Sequence, residues 1–314
     1  MLTELTDDPV KAAQFIRKGE IVAFPTETVY GLGADARNPV SVSKIFAAKG
    51  RPTDNPLIVH IADKLQLLEV ARELPPFAEA LAERFMPGPL TLVLFRRRII
   101  PDIVTAGLDT VGVRCPQHPL AQEFLRAAAC PVAAPSANRS GRPSPTTWRA
   151  VLTELEGLLP CVLKGEQSHF GLESTVVDCT GEMPLVLRAG AVTLEQLCQV
   201  VPSTRLAECN AKVRSPGMKY RHYCPRVNVV LVNSPQEIPM ELSTRSAYIG
   251  LVTPKLPLQK TVVCEGLEDY ARQLFEFFRE CEMANVEQIF CQTVEDRGLG
   301  LALMDRLRRA AAML

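Results

Sequence analysis

The chain has 314 residues, 47% of them hydrophobic and 22% charged, and its 35 Lys and Arg residues balance 35 Asp and Glu. That length predicts two domains with at least one core large enough to carry a cleft, and the charge balance excludes a global basic field for nucleic acid or membrane, so any anion site is local. The acidic N-terminal stretch MLTELTDDPVKAAQ, the lack of an apolar run near the roughly 18 residues of a membrane span, and ten cysteines with no CxxC spacing predict a soluble cytoplasmic protein with reduced thiols, no zinc site and no disulfide framework.

In chain order, residues 11–19 read as a helix, 20–26 as a strand, and 39–50 as a helix capped by Asn38 and stopped by Gly50. Strand 56–62 is followed by helices at 64–70 and 76–85. Strands at 90–95 and 110–115, a helix at 119–129 and a short buried strand at 131–135 come next. After a helix at 147–155, strands begin at Cys161, Ser174 and Leu185, the last two joined by the hairpin turn TGEMP, and a helix covers 193–201. This alternation predicts an α/β domain with a twisted mixed sheet over residues 1–205. Periodicity fades between Pro202 and Pro225, where Pro, Gly and basic residues mark a linker. Strands at 227–232, 246–252 and 287–291, with helices at 267–281 and 298–313, then form a small βαβ-type unit over 226–314. Its RGLGLA segment lacks the full dinucleotide fingerprint.

Polar groups that interrupt apolar strands are the informative residues, since ligand sites of α/β sheets gather at strand ends. FPTETVYGLGADA runs a strand into a polar turn with Thr26, Glu27, Thr28 and Tyr30 ahead of two glycines, which reads as a strand-to-helix loop. Lys49 and Arg51 close a helix, Asn55 follows, and His60 sits within an apolar strand. Helix capping explains the cations and a satisfied core histidine explains His60, but the same set suits a phosphate or carboxylate. Arg114 and Arg188 each end an apolar strand and need an anion, either an internal partner such as Glu27, Glu173 or Asp178, or a ligand. Ser136, Asn138, Ser140 and Ser144 lie in a Gly/Pro-rich loop whose backbone can cradle phosphates, although Ser144 or Thr146 equally serves as a helix cap. Ser174 and Thr175 open a strand, where cross-strand hydroxyl pairing is the plain reading. GxSxG, HExxH and GxxxxGK[ST] are absent, which removes the usual hydrolase, zincin and P-loop readings.

Taken together and in order, FPTETVYGLGADA, KGRPTDNPL, PGPLTLVL, VGVRCP, PSANRSG, GLESTVVD, LRAG and SPGMKYRHYCP resemble the motif series of the threonylcarbamoyl-AMP synthase family. The resemblance spans about residues 10–225 and continues loosely through RGLGLALMDRL. It implies a YrdC-like twisted mixed open sheet with helices, plus a small C-terminal Rossmann-like βαβ domain. It also implies the reaction of L-threonine, bicarbonate and ATP to threonylcarbamoyl-AMP and pyrophosphate, the donor for threonylcarbamoyladenosine beside the tRNA anticodon. On the family's pattern Thr28, His60, Arg114, Ala134 and Ser174 hold threonine. Lys49, Arg51, Asn55, Thr110, Ser136, Ser144, Arg188 and Tyr223 hold ATP, and Lys49, Arg51 and Arg114 are the catalytic cations. Mg²⁺ comes with the ATP phosphates, with no protein cage for it. The linker at 206–225, dense in Lys, Arg, His and Tyr, is expected to fold over the cleft as a lid. Downstream tRNA threonylcarbamoyl-transfer proteins are the implied partners. An RNA-binding module whose basic cleft tracks a phosphate backbone, extended by Arg96 to Arg98, is the alternative class, with a solvated charge cluster as the ordinary account of those arginines.

Overall fold

The computed structural model describes residues 2–208 and 223–312. The first unit contains, in order, β1 (Glu4–Thr6), α1 (Pro9–Arg17), β2 (Val22–Phe24), β3 (Gly31–Asp35), α2 (Pro39–Lys49), β4 (Ile58–His60), α3 (Leu67–Val70), α4 (Pro76–Phe85), β5 (Leu90–Phe95), α5 (Asp102–Thr105) and β6 (Thr110–Arg114). It continues with α6 (Pro119–Ala128), β7 (Val132–Ala134), α7 (Trp148–Leu155), β8 (Cys161–Leu163), β9 (Thr175–Asp178), β10 (Leu185–Arg188), α8 (Leu194–Val200) and β11 (Arg205–Leu206). These strands form one eleven-stranded sheet in the order β1-β8-β2-β3-β7-β4-β6-β5-β9-β10-β11. Parallel and antiparallel pairs mix within it: β4 runs parallel to β6 and antiparallel to β7. Mixed sheet and helices agree with the expected fold class.

Local chemistry sets the helix ends. Asn38 Oδ1 accepts from Val40 N and Ser41 N, Pro39 fills the first helical position of α2, and Gly50 ends it at φ 58° in the left-handed region. This holds Lys49 and Arg51 where α2 turns toward β4. The expected loop at the two glycines is wrong, because Gly31 and Gly33 belong to β3, paired antiparallel with β2. A Cβ at Gly33 would lie 2.6 Å from Val132 Cγ1 and 2.9 Å from Phe24 Cε1. The glycines are there because a ring passes over the strand, a tertiary demand that strand propensity does not register.

The second unit contains β12 (Asn228–Val232), β13 (Ser246–Gly250), β14 (Lys260–Val263), α9 (Leu267–Met283), β15 (Gln288–Gln292) and α10 (Leu299–Ala311), with an all-parallel sheet ordered β12-β15-β13-β14. β14 was not expected, and the chain passes from β12 to β13 and from β13 to β14 without an α-helix, so only β14-α9-β15 is a βαβ unit. Its short, alternately half-buried and exposed KTVV carries too few buried residues to stand out as a core strand.

The apolar core of this unit does not stop at its own border. It takes in Val29 and Leu172 from the first unit, beside Tyr223. Gly171 allows the approach: at φ +70°, a Cβ there would come 2.4 Å from Ala271 O and Arg272 Cα on α9. Three ion pairs cross the same seam, Arg279 to Glu154, Arg142 to Glu282 and Arg306 to Glu173. The lid expected at 206–225 falls mostly on residues 209–222, outside the described residues.

Candidate active site

A cleft enclosing roughly 660 Å³, open mouth included, lies along this seam. Its walls come from the Thr26–Gly31 turn, the ends of β4, β6 and β10, the loop after β7, the start of β9, and Tyr223. Of the expected residues it gathers Thr28, Arg51, His60, Arg114, Ala134, Ser136, Ser144, Ser174, Arg188 and Tyr223 in one place. Among the described residues, four arginines, Arg51, Arg114, Arg142 and Arg188, line the cleft with one carboxylate, Glu173, while Arg114 and Arg142 also pair with Glu27 and Glu282 outside the lining. In a chain of zero net charge, cationic side chains are thus concentrated locally.

Arg114 is 4% exposed. Its Nη2 donates to Glu27 Oε1 at 2.7 Å, Nη1 to Thr28 Oγ1 at 2.8 Å, and Nε to Gly88 O at 3.3 Å. A guanidinium carries five N–H donors, so one on each terminal nitrogen is left for a ligand. Thr28 is itself fixed by Thr26 Oγ1 at 2.8 Å. Across the cleft, Ser174 Oγ shares a hydrogen bond with Thr91 Oγ1 at 2.8 Å, and Arg188 donates from Nε and Nη2 to Ser174 O at 3.1 and 3.0 Å.

His60 is buried at the end of β4, edge-on to Phe24 at 5.7 Å, and among the described residues its Nδ1 has no hydrogen-bond partner. Burial, reinforced by the Arg114 charge, lowers its pKa to about 3. The ring is therefore neutral at physiological pH. An unfolded histidine titrates near 6.5, so the unfolded chain takes up this proton first, and stability falls as pH drops from 6.5 towards 3. Between pH 6.5 and 5 this one group should cost about 2 kcal/mol. Urea unfolding at those two pH values should show that slope, and His60→Gln should flatten it; an unchanged slope in the variant would mean that His60 is not held neutral.

Lys49 and Asn55 stand behind the lining rather than in it. Lys49 Nζ donates to Ser136 O and Asn138 O, bracing the loop after β7 from below. Burial, then the nearby Arg51 charge, pulls the Lys49 pKa well below the ordinary lysine value. Inside the loop, Ser136 Oγ donates to Asn138 Oδ1 at 2.5 Å, and Asn138 Nδ2 donates to Arg139 O at 2.7 Å and Arg142 O at 2.8 Å. Arg51 Nη2 donates to Pro56 O at 3.1 Å. Thr110 is not brought to the cleft. It opens β6 opposite Phe95, four residues from Arg114 and so about 13 Å along the strand.

Three participants were missed as site residues. Glu173 is 6% exposed; its Oε1 accepts from Ser144 Oγ at 2.5 Å and its Oε2 from Arg306 Nε at 2.9 Å. Arg306 lies on α10, where Ala302, Leu303 and Ala310 share its buried face. A charge at helical spacing within an apolar stripe was the available signal. Arg142, in the loop after β7, bridges to Glu282 of the second unit. Tyr223, at φ 67°, stacks on Phe275 at 5.5 Å. Among the described residues no three His, Cys, Asp or Glu side chains cluster as a metal site.

Comparison with known proteins sets this geometry in context. Residues 14–190 match the family described as Telomere recombination, and residues 192–312 match the C-terminal domain of threonylcarbamoyl-AMP synthase. The chain is 43% identical to the threonylcarbamoyl-AMP synthase of Pyrococcus abyssi, over 96% of its own length and 93% of that protein. It is 41% identical to the Bacillus subtilis threonylcarbamoyl-AMP synthase, over 98% and 94%. The crystal structure of P. abyssi Sua5 complexed with L-threonine superposes with a TM-score of 0.91 at 41% identity, covering 99% of this chain and 97% of that one.

Proposed function

This chain belongs to the threonylcarbamoyl-AMP synthase family, the family's C-terminal domain included, and from that membership we propose that its cleft joins L-threonine, bicarbonate and ATP into threonylcarbamoyl-AMP with release of pyrophosphate. The observation that carries the reading is that, among the described residues, four arginines and one carboxylate line the cleft of a neutral chain. Threonine, bicarbonate and triphosphate each bring negative charge, and their assembly needs that excess.

Arg114 takes the threonine carboxylate on its two unused N–H groups as a bidentate pair. Neutral His60 accepts from the threonine ammonium or hydroxyl, and Thr28, Ser174 and the Ala134 backbone complete that half. Arg51, Arg188, Ser136, Ser144 and Tyr223 hold the nucleotide, while Lys49 and Asn55 act from behind by holding the loop and the turn after α2. The threonine amine adds to bicarbonate with loss of water, giving a carbamate. A carbamate oxygen then attacks the α-phosphorus as pyrophosphate leaves. No protein nucleophile is required; positioning and charge neutralisation do the work.

Mg²⁺ enters as part of the MgATP substrate and screens the triphosphate. Glu173, the one lining carboxylate among the described residues, is already taken by Arg306 and Ser144, which fits a metal carried by phosphates and water. The same reading puts the enzyme in the cytoplasm, handing a labile adenylate to tRNA threonylcarbamoyl-transfer proteins. Arg96 and Arg97 bond Asp102, Ile100 O and Ala71 O, which supports a solvated cluster over an RNA track.

The test is pyrophosphate release from MgATP and bicarbonate with threonine present or omitted, and with serine as competitor. Release that requires both threonine and bicarbonate is expected. ATP binding without release would favour the binding-module alternative.

A further inference from the structure

Arg306 is 0% exposed and comes from the last helix of the second unit, yet Glu173, Ala189 and Tyr223, its partners beyond that helix, border the cleft or adjoin a residue that does. Its Nε donates to Glu173 Oε2 at 2.9 Å and its Nη1 to Ala189 O at 2.9 Å, the residue after Arg188. Its guanidinium carbon lies 5.3 Å from the centroid of the Tyr223 ring. Asp305 Oδ2, at 3.0 Å from Nη1, is the other carboxylate beside it. Fully burying a guanidinium to staple two domains costs more than packing a Leu or Met of similar volume on the same stripe. Adhesion alone therefore does not account for an arginine here.

The chemistry of its partner does. Ser144 has one hydroxyl proton, and at 2.5 Å it gives that proton to Glu173 Oε1. What Ser144 then shows the cleft is lone pairs only. Its ligand partner must be a donor, a hydroxyl or amino group of the nucleoside, because a phosphoryl oxygen would meet it lone pair to lone pair. The Glu173 carboxylate can impose this only while it is ionised and correctly turned, and the guanidinium on its second oxygen is what turns it.

Resting on the synthase reading of the cleft, we propose that Arg306 is a positioning residue for ATP: it aligns Glu173 so that Ser144 is fixed as a hydrogen-bond acceptor for the nucleoside, and it backs the ring of Tyr223. Through it the second unit forms part of the nucleotide site.

The experiment compares wild type with Arg306→Lys, Arg306→Met and the double variant Arg306→Met with Glu173→Gln. Three quantities are read: KM for ATP and for threonine, MgATP affinity by calorimetry, and melting temperature. Arg306→Met should raise KM for ATP about tenfold and KM for threonine by only about twofold, because Thr28, His60 and Arg114 stand apart from this chain of contacts and only Ser174, next to Glu173 and bonded by Arg188, borders it. Arg306→Lys should recover part of the ATP affinity, since it restores the charge without the planar fork. The double variant removes the uncompensated buried carboxylate, so its melting temperature should recover while KM for ATP stays raised. A double variant that recovers both would make Arg306 a domain staple and overturn the proposal. Calorimetry separates this result from the parent reading: a wild type that binds MgATP but releases no pyrophosphate refutes the synthase reading, while Arg306 is still judged by its effect on MgATP affinity.

Discussion

Arg114→Ala is expected to lower threonine-dependent pyrophosphate release by roughly 10³-fold, equivalent to about 4 kcal/mol of lost transition-state stabilisation. Two losses combine. The substrate carboxylate loses its bidentate partner, and Glu27, buried at 2.7 Å from the guanidinium, is left without its counter-charge. The second loss also destabilises the fold by about 3 kcal/mol or more, so rates must be taken per folded molecule, with a thermal melt on the same sample. Arg114→Lys separates the effects, because it keeps a cation for Glu27 but cannot present two parallel N–H groups. It should fold nearly as well as wild type and still lose most of the activity. If Arg114→Lys turned over threonine at more than a tenth of the wild-type rate, Arg114 would not be the carboxylate anchor.

Lys49→Met should behave in the opposite way, with little change in stability and a fall of about 10²-fold in kcat/KM for ATP. Lys49 is 2% exposed and bonds two main-chain carbonyls, and burial beside Arg51 makes its charge costly to keep. Methionine matches its volume and removes that cost, offsetting the two carbonyls left without a donor. The loop after β7 then loses its brace, and with it the placement of Ser136 and Ser144. Urea unfolding and initial-rate kinetics check the pair of expectations. A variant destabilised by several kcal/mol that kept its kcat/KM per folded molecule would reduce Lys49 to a structural prop.

Much of this was legible one residue at a time. Asn38 and Gly50 announced the ends of α2 by their side-chain chemistry, and a histidine and two arginines interrupting apolar strands marked the cleft, since burying such groups is expensive without a use. The ordered motifs turned those separate ambiguities into a single site. What stayed hidden depends on contacts remote in sequence. Glu173 and Arg306 are 133 positions apart, and no local pattern says that a glutamate near a strand start will meet an arginine from the last helix. The glycines of β3 misled for the same reason, being set by the Phe24 ring and Val132 rather than by their own propensity. Thr110 is the reverse case: its motif position suggests a ligand contact, while it stands at the opposite end of β6 from Arg114 and outside the described lining.

An eleven-stranded sheet has two outer rims of unpaired backbone, and such rims are templates on which other chains can add strands and begin to aggregate. Here the sheet tapers. It ends in β1, three residues long with Glu4 ion-paired to Lys11, and in β11, only two residues long. Rims this short offer an incoming strand too few hydrogen bonds to hold it, so the protein carries a wide sheet to build its cleft while keeping little of the self-association hazard that width brings.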